Sequence, residues 1–338
     1  MASFSQFGND LHTGKRSLNI VGRYKTWYLI AAVMIVIAFV GPQLRGGFVF
    51  GIEFTGGSEF EVSDVSSQEQ GPAAAAVASV DSAAVPKISS VSDSGIRVQT
   101  DQLEPAESRE VRAALAEAYG VPETQVTSSF IGPSWGADIT GQALRGLLVF
   151  LALASIVMAL YFRTWKMSLA AMVALLHDLI LTAGFYGLTG FEITPAAVIG
   201  FLTILGYSLY DTVVVFDKIR ENTAEDGPES RRTFAESVNL AVNQTLVRSI
   251  NTSVVAMLPV ASILFIGALA LGAGTLRDIA LALLIGILVG TYSTIFVAAP
   301  LYAQLRTAEP AVRQRDKKAL VMRAKADAVA RTSEDVAV

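Results

Sequence analysis

Ionisable side chains are scarce in the long apolar stretches of this sequence, and the few that occur there are the residues that could do chemistry. His177 and Asp178 lie in one stretch, Asp211 lies in the next, and Arg248 lies near the start of the one after. A charge at the middle of a bilayer costs about 2.5–3.5 kcal/mol, so such residues are retained where they contact each other or water. Because carboxylates and imidazoles bind and release protons, this set is a candidate proton pathway.

The neighbours of Asp211 are polar on one side of its predicted helix. Tyr207 and Ser208 precede Asp211 by four and three residues and therefore share its face. Arg248 enters its own stretch from the same end, with Thr252 one helical turn further on. We expect Asp211 and Arg248 at similar depth, where they could form a pair and where hydroxyl groups could connect the carboxylate to water.

Spacing alone leaves two interpretations of these residues open. Asp211 and Arg248 could carry a proton, or they could be a fixed pair that specifies which helices pack together. His177 and Asp178 are adjacent and point about 100° apart on a helix, so only one of them is expected to face a given site. A place on the proton pathway or a polar packing contact would each account for them.

A glycine-containing motif, GIEFTGG, follows the first apolar stretch. It contains Gly51, Glu53, Gly56 and Gly57, without the preceding strand or the Lys-Ser/Thr ending of a phosphate-binding loop. The motif predicts a tight turn where the chain leaves the membrane. The sequence has no cysteine, no HExxH and no nucleophile–base set. We therefore expect no enzyme, no metal site, no cofactor and no nucleic-acid partner.

The elements that must position these residues are membrane helices. Of the 338 residues, 52% are hydrophobic and 17% are charged, against about 25% charged in ordinary soluble domains, and the mean hydropathy is +0.48. A helix needs about 20 apolar residues to cross about 30 Å of hydrocarbon. Six stretches meet that length, and the predicted spans are 26–44, 141–162, 168–188, 195–216, 247–271 and 276–305.

The distribution of basic residues predicts the orientation of these spans. Most of the 26 lysines and arginines fall on one side, namely in residues 1–25, the short loop after the second span, residues 217–246 and the tail 306–338. The positive-inside rule then makes both termini cytoplasmic. The first span is interpreted as a retained anchor. Helical spacing of apolar residues over 231–246 predicts a helix lying on the cytoplasmic interface within the 217–246 loop.

Residues 45–138 form the one long extracytoplasmic loop, and their pattern is that of a small folded domain. Strand-like GGSEFEVS, KISSV, GIRVQT and TQVTSSFI alternate with an Ala-rich stretch over 71–85 and an amphipathic helix over 105–119. The order β, α, β, β, α, β is ferredoxin-like. A disordered insertion is the alternative for the Ala-rich stretch, since Gln70-Gly71-Pro72 favours a break in a helix. The predicted fold class is thus a membrane α-helical protein with six transmembrane helices and an extracytoplasmic α+β domain between helices one and two.

Four motifs in this order resemble one family. FVFGIEFTGGSEFEV follows the first span, GYSLYDTVVVFDKIREN ends the fourth, NQTLVRSINTS opens the fifth, and LLIGILVGTYSTIFVAAP lies in the sixth. Together, over about residues 17–305, they resemble the SecD/SecF family of bacterial protein-export membrane subunits. Glu53 stands where many relatives carry Asp, which keeps the charge.

The resemblance implies half of a twelve-helix assembly of the resistance-nodulation-division type, in the bacterial inner membrane, completed by a SecD-like subunit. That assembly is expected to use the proton-motive force to help unfolded polypeptides emerge from the SecYEG channel. The resemblance also implies that Asp211 and Arg248 carry protons, with Thr252 as a neighbouring polar residue. Two rival functions remain: a proton-driven exporter of small molecules or lipids, and a purely structural membrane subunit.

Overall fold

The computed structural model describes residues 4–92, 94–225, 230–270 and 274–336. Within them, six helices are long and apolar enough to cross a membrane, which confirms the predicted number. They are α2 (Tyr24–Leu44), α6 (Pro133–Phe162), α7 (Trp165–Thr189), α8 (Pro195–Glu225), α9 (Phe234–Ser262) and α10 (Gly274–Ser293). A π-helical segment, Ile263–Ala270, extends α9, and another, Thr294–Ala298, joins α10 to α11 (Ala299–Thr307).

The expectation of a separate interfacial helix over 231–246 is wrong. The structure has one continuous helix, α9, that begins at Phe234 and runs into the fifth span. Thr233 and Glu236 form a capping box at its start, and neither glycine nor proline follows before Pro259. The apolar stripe that suggested an interfacial helix packs inside the protein instead, with Phe234, Val238 and Ala241 buried. The predicted end of this span, Leu271, and residues 226–229 of the predicted loop lie outside the described residues.

The extracytoplasmic domain has the predicted ferredoxin-like order. Its elements are β1 (Gly57–Val62), α4 (Gln70–Val80), β2 (Lys87–Ser92), β3 (Gly95–Thr100), α5 (Pro105–Tyr119) and β4 (Val126–Ile131). The strands form one antiparallel sheet in the order β2-β3-β1-β4. The Ala-rich stretch is helical because Gly71 and Pro72 occupy the first turn of α4, where a missing N–H costs no helical hydrogen bond.

The two faces of this sheet differ in chemistry because side chains alternate along a strand. Phe60 and Val62 on β1, with Ile96 and Val98 on β3, are fully buried in the core shared with α4 and α5. Between them stand polar residues that share the opposite face of the sheet, since Glu59 pairs with Gln99 and Glu61 pairs with Arg97 across β1 and β3. This polar face meets the connection between α7 and α8.

The domain is joined to the membrane helices by backbone contacts as well as by the chain itself. Gly51 N donates to Ile193 O over 3.0 Å, and Ile193 N donates to Val49 O over 2.8 Å. A single turn, α3 (Ile52–Thr55), follows and packs on α6. The segment after α2 is thereby fixed to the connection between α7 and α8.

On the other side of the bundle, the N-terminal segment lies along α9. It includes α1 (Phe4–His12), whose Leu11 is fully buried. Asn239 Oδ1 accepts from Ile20 N (2.9 Å) and Val21 N (3.0 Å), and Asn243 Oδ1 accepts from Leu18 N (2.7 Å). The tail forms a further helix, α12 (Pro310–Val336), in which Asp316 Oδ1 accepts from Phe234 N at the start of α9.

Candidate functional site

The site is built on a close contact between α8 and α10. Small residues recur every four positions along α10 and into the π-helical segment that follows it, and they face residues of α8 at a constant offset of 82, so the two helices run parallel. The facing pairs are Gly200 with Ala282, Ile204 with Gly286, Ser208 with Gly290, and Thr212 with Thr294. Small residues allow membrane helices to approach closely, which is the small-xxx-small pattern.

Gly290 is the position in this contact where a side chain would disturb the polar residues. A Cβ added there would lie 3.1 Å from both Cβ and Oγ of Ser208, and 3.5 Å from Oδ2 of Asp178. Gly286 is more tightly restricted, because a Cβ on it would overlap Cγ1 of Ile204. Because Gly290 has no side chain, α10 leaves the space that Ser208 and Asp178 occupy.

Asp178, on α7, has no exposed surface. Its Oδ2 accepts a hydrogen bond from Ser208 Oγ over 2.5 Å, and its Oδ1 lies 3.2 Å from Nδ1 of His177. The His177 ring stacks on Tyr292 of α10 with centroids 5.9 Å apart. His177 and Asp178 thus contact different residues, and it is Asp178 that faces α8.

Asp211 lies one turn beyond Ser208 on α8 and is 6% exposed. Its Oδ1 accepts a hydrogen bond from Ser249 Oγ on α9 over 2.9 Å. Its Oδ2 is buried and has no hydrogen-bond partner in the part of the chain that the structure describes. Asp178 on α7 is thus held by a serine of α8, and Asp211 on α8 is held by a serine of α9.

The expected pairing of Asp211 with Arg248 is absent from this structure. Arg248 is exposed, and no ion pair joins it to Asp211 within the described ranges. The reason is the rotation of α9: Thr245, Ser249 and Ser253 recur every four residues as a buried stripe, and Arg248 lies about 100° away from Ser249. Tyr207 on α8 and Thr252 on α9 are both half-buried.

Two more hydroxyl pairs continue the polar contacts between helices. Thr212 Oγ1 and Thr294 Oγ1 are 2.9 Å apart, and Ser253 Oγ and Thr291 Oγ1 are 2.5 Å apart. Thr294 opens the π-helical segment between α10 and α11. Such segments break the regular backbone ladder and are frequent at functional sites. Hydroxyls and carboxylates of α7, α8, α9 and α10 thus form one buried polar region.

The GIEFTGG motif lies outside the buried polar region, at the junction between the membrane helices and the extracytoplasmic domain. Gly56 and Gly57 have φ values of 74° and 128°, the latter a conformation that only glycine adopts readily. The chain turns there from α3 into β1, as the motif predicts. Glu53 is half-buried, and burial raises the pKa of its carboxyl, with the nearby Glu192 charge acting in the same direction. In the described residues, no group of three or more His, Asp and Glu side chains is arranged to hold a metal ion.

Several residues of the site escaped the sequence analysis. Ser249 was hidden behind its charged neighbour Arg248, although a buried stripe at i, i+4 spacing could have revealed it. Gly286, Gly290 and Thr294 form a small-xxx-small pattern that is readable in the sequence. The polar region, the six membrane helices and the ferredoxin-like domain together define a multi-pass membrane protein with buried carboxylates between its helices.

Comparison with known proteins assigns the family. Residues 111–308 match the family model described as protein export membrane protein SecD/SecF, C-terminal. The chain is 43% identical to protein translocase subunit SecF of Streptomyces coelicolor, covering 100% of this chain and 90% of that protein. It is 39% identical to SecF of Mycobacterium tuberculosis, covering 94% of this chain and 73% of that protein. The chain belongs to the SecD/SecF family of protein-export membrane proteins.

A solved structure agrees with this assignment. The crystal structure of SecDF, a translocon-associated membrane protein from Thermus thermophilus, superposes with a TM-score of 0.72 at 30% identity. The match covers 86% of this chain and 39% of that chain, so this protein spans about two-fifths of the length of SecDF. The relatives are named translocase subunits, in agreement with the prediction that the chain is not an enzyme.

Proposed function

We propose that this protein is a SecF-type subunit that uses the proton-motive force to promote polypeptide translocation through the SecYEG channel. The observation that carries the proposal is that Asp178 on α7 and Asp211 on α8 are both buried, and that each is held by a serine hydroxyl of an adjacent helix. A buried carboxylate without a positive partner is costly, whereas a protonated one is tolerated. Proton binding therefore changes which helix arrangement is stable.

The proposed cycle uses Arg248 as the alternative partner of Asp211. The arrangement seen here, with Arg248 exposed and one oxygen of Asp211 unpartnered, is assigned to the protonated carboxyl. Loss of the proton to the cytoplasm would create a charge that attracts Arg248, which requires α9 to rotate or shift against α8. A new proton from outside would reverse the change.

The energy of one proton suffices for such a shift. A charge crossing 100 mV is worth about 2.3 kcal/mol, which biases a two-state equilibrium about forty-fold. The hydroxyls of Ser208, Ser249 and Thr252 would serve as hydrogen-bonding groups along the pathway. His177 contacts Asp178 directly and would take part through that carboxylate.

A SecD-like subunit is the proposed partner in the membrane. Arg248 and Asn251 are exposed on α9 within a stretch that crosses the bilayer. Polar side chains are unfavourable against lipid, so this face of α9 should be covered by protein or line a water-filled space. With such a partner the chain would form half of a twelve-helix assembly, in the bacterial cell membrane, with both termini cytoplasmic.

The experiment compares two aspartates of the same helix. Asp211→Asn removes a titratable carboxyl inside the bundle. Asp217→Asn is the matched control, because Asp217 lies six residues further along α8 and contacts Tyr161 Oη at 2.9 Å near the cytoplasmic end. Export into vesicles carrying the reconstituted complex should lose its dependence on the proton-motive force in Asp211→Asn alone. Force-dependent export by Asp211→Asn at the wild-type rate would refute the proposal.

A further inference from the structure

An ion pair joins the extracytoplasmic domain to the membrane helices across the junction between them. Arg97 on β3 contacts Glu192, which lies in the connection between α7 and α8, with Nη1 2.6 Å from Oε2. Gln99, two residues along the same strand, donates from Nε2 to Oε1 of the same Glu192. One carboxylate at the top of the bundle is thus held by two side chains of the sheet.

This ion pair is largely removed from solvent. The side chain of Arg97 is 13% exposed and that of Glu192 is 12% exposed. Removing one partner from such a pair leaves a buried charge uncompensated, which costs far more than losing a surface pair. Substitution of one partner alone therefore disturbs the contact between the sheet and the α7–α8 connection.

Arg97 also has partners on its own side of the junction. Its Nε lies 3.5 Å from Glu59 Oε1 and its Nη2 lies 3.8 Å from Glu61 Oε2, both on β1. If Glu192 moved away, the guanidinium would keep two carboxylates of the sheet. Separation of the junction therefore does not strand the arginine without a counter-charge.

On the membrane side of the junction, Glu192 lines two cavities, and a second arginine lines one of them. A cavity of about 400 Å³ lies beside the pair and is lined by Glu53, Glu192, Thr194 and Asp278 among others. Arg277, at the start of α10, lies 3.4 Å from Asp278 and lines a neighbouring cavity together with Glu192. Glu192 thus has room to move and a cation near it when Arg97 leaves.

From this geometry we infer that Arg97 and Glu192 form a releasable latch, an ion pair that fixes the extracytoplasmic domain to the α7–α8 connection and can open at low cost. The latch connects the sheet to the two helices that carry Asp178 and Asp211, so a shift of these helices changes the orientation of the domain. The inference goes beyond the proton pathway, and its test measures a distance rather than export.

The test uses spin labels in the full chain in lipid nanodiscs. The natural sequence has no cysteine, so Ala113→Cys on α5 and Thr189→Cys at the end of α7, both exposed positions, are unique labelling sites. Double electron–electron resonance measures the distance between the two labels. This distance is compared in Arg97→Gln, in Glu192→Gln and in the control Arg109→Gln. Arg109 is an exposed arginine of the same domain whose Nε contacts Pro105 O of its own helix.

With Arg97 and Glu192 intact, the labels should give one narrow distance distribution, and Arg109→Gln should leave it unchanged. Arg97→Gln and Glu192→Gln should each at least double its width. Because Glu192 lies outside the domain core, broadening in Glu192→Gln separates latch release from unfolding of the sheet, even where Arg97→Gln folds poorly. Distributions as narrow in Glu192→Gln as in Arg109→Gln would overturn the inference.

Discussion

Ser208 Oγ donates a hydrogen bond to Oδ2 of Asp178 over 2.5 Å, which connects α8 directly to the fully buried carboxylate of α7. One turn further along α8, Asp211 accepts from Ser249 of α9. Helix α8 therefore contacts α7 and α9 through two hydrogen bonds, each of which joins a serine hydroxyl to a buried carboxylate. Under the proposed function, a change in the protonation of either carboxyl would act on a contact between α8 and a neighbouring helix.

Removing the Ser208 hydroxyl should impair the connection between Asp178 and α8. Ser208→Ala leaves the buried Asp178 without its donor from α8, and an unsatisfied buried acceptor costs about 1–3 kcal/mol. We expect force-dependent export to fall about tenfold, in line with 1.4 kcal/mol per decade. Thr203→Ala is the matched control on the same helix, since Thr203 is exposed and bonds Ile199 O of its own turn. Equal export by the two variants would show that the hydroxyl has no part in the function.

Gly290 should tolerate no side chain. Gly290→Ala introduces a Cβ 3.1 Å from Ser208, so α8 and α10 must separate or Ser208 must move. Overpacking of this kind typically costs about 1–3 kcal/mol. We expect a lower unfolding temperature in detergent and reduced export. Gly206→Ala on α8 serves as the control, because no atom lies within 4 Å of an added Cβ there; equal unfolding temperatures in the two variants would contradict the close α8–α10 contact.

The combined variant Asp211→Asn/Arg248→Gln distinguishes the proton pathway from a fixed structural pair. If the two residues only hold helices together, a neutral hydrogen-bonding pair should restore a functional complex. If Asp211 carries protons, the double variant should assemble with its partner yet remain without force-dependent export. Co-purification of the SecD-like subunit reports assembly, and export into vesicles reports function. Recovery of force-dependent export would support the structural alternative.

Glu59 should give the extracytoplasmic domain a pH dependence of stability. Burial raises the pKa of its carboxyl, against the hydrogen bond from Gln99 and the charge of Arg97. The folded domain therefore binds this proton more readily than the unfolded chain, so the contribution of Glu59 to stability is present at low pH and is lost as pH rises through the folded pKa. Hydrogen exchange of β1 amides at about pH 5 and pH 7 should show this slope in the wild type and a smaller one in Glu59→Gln. An unchanged slope in Glu59→Gln would contradict the assignment.

The membrane helices and the domain order were predictable because each rests on local patterns. Span length follows from the thickness of hydrocarbon, and the alternation in β1 and β3 identifies half-buried strands. The face of α8 that carries Ser208 and Asp211 also follows from helical periodicity. The separate interfacial helix was wrong because an apolar stripe does not reveal whether it packs on lipid or on α8 and α11.

The partners of the acidic residues were not predictable in the same way. Whether Arg248 or Ser249 faces Asp211 depends on a rotation of α9 by about 100°, which is set by its packing against α8 and α10. Arg97 and Glu192 are 95 residues apart, and no local pattern connects a strand of the domain to a helix connection. Such contacts arise only when the domain is placed on the bundle.

Proton flux through the assembled complex tests the central claim most directly. Proteoliposomes that contain the complex, a pH-sensitive dye and a translocating polypeptide report proton entry during export. We expect flux with the wild type and with Asp217→Asn, and loss of flux to the level of protein-free vesicles with Asp211→Asn. Flux through Asp211→Asn equal to that of Asp217→Asn would show that Asp211 carries no proton and would contradict the proposed mechanism.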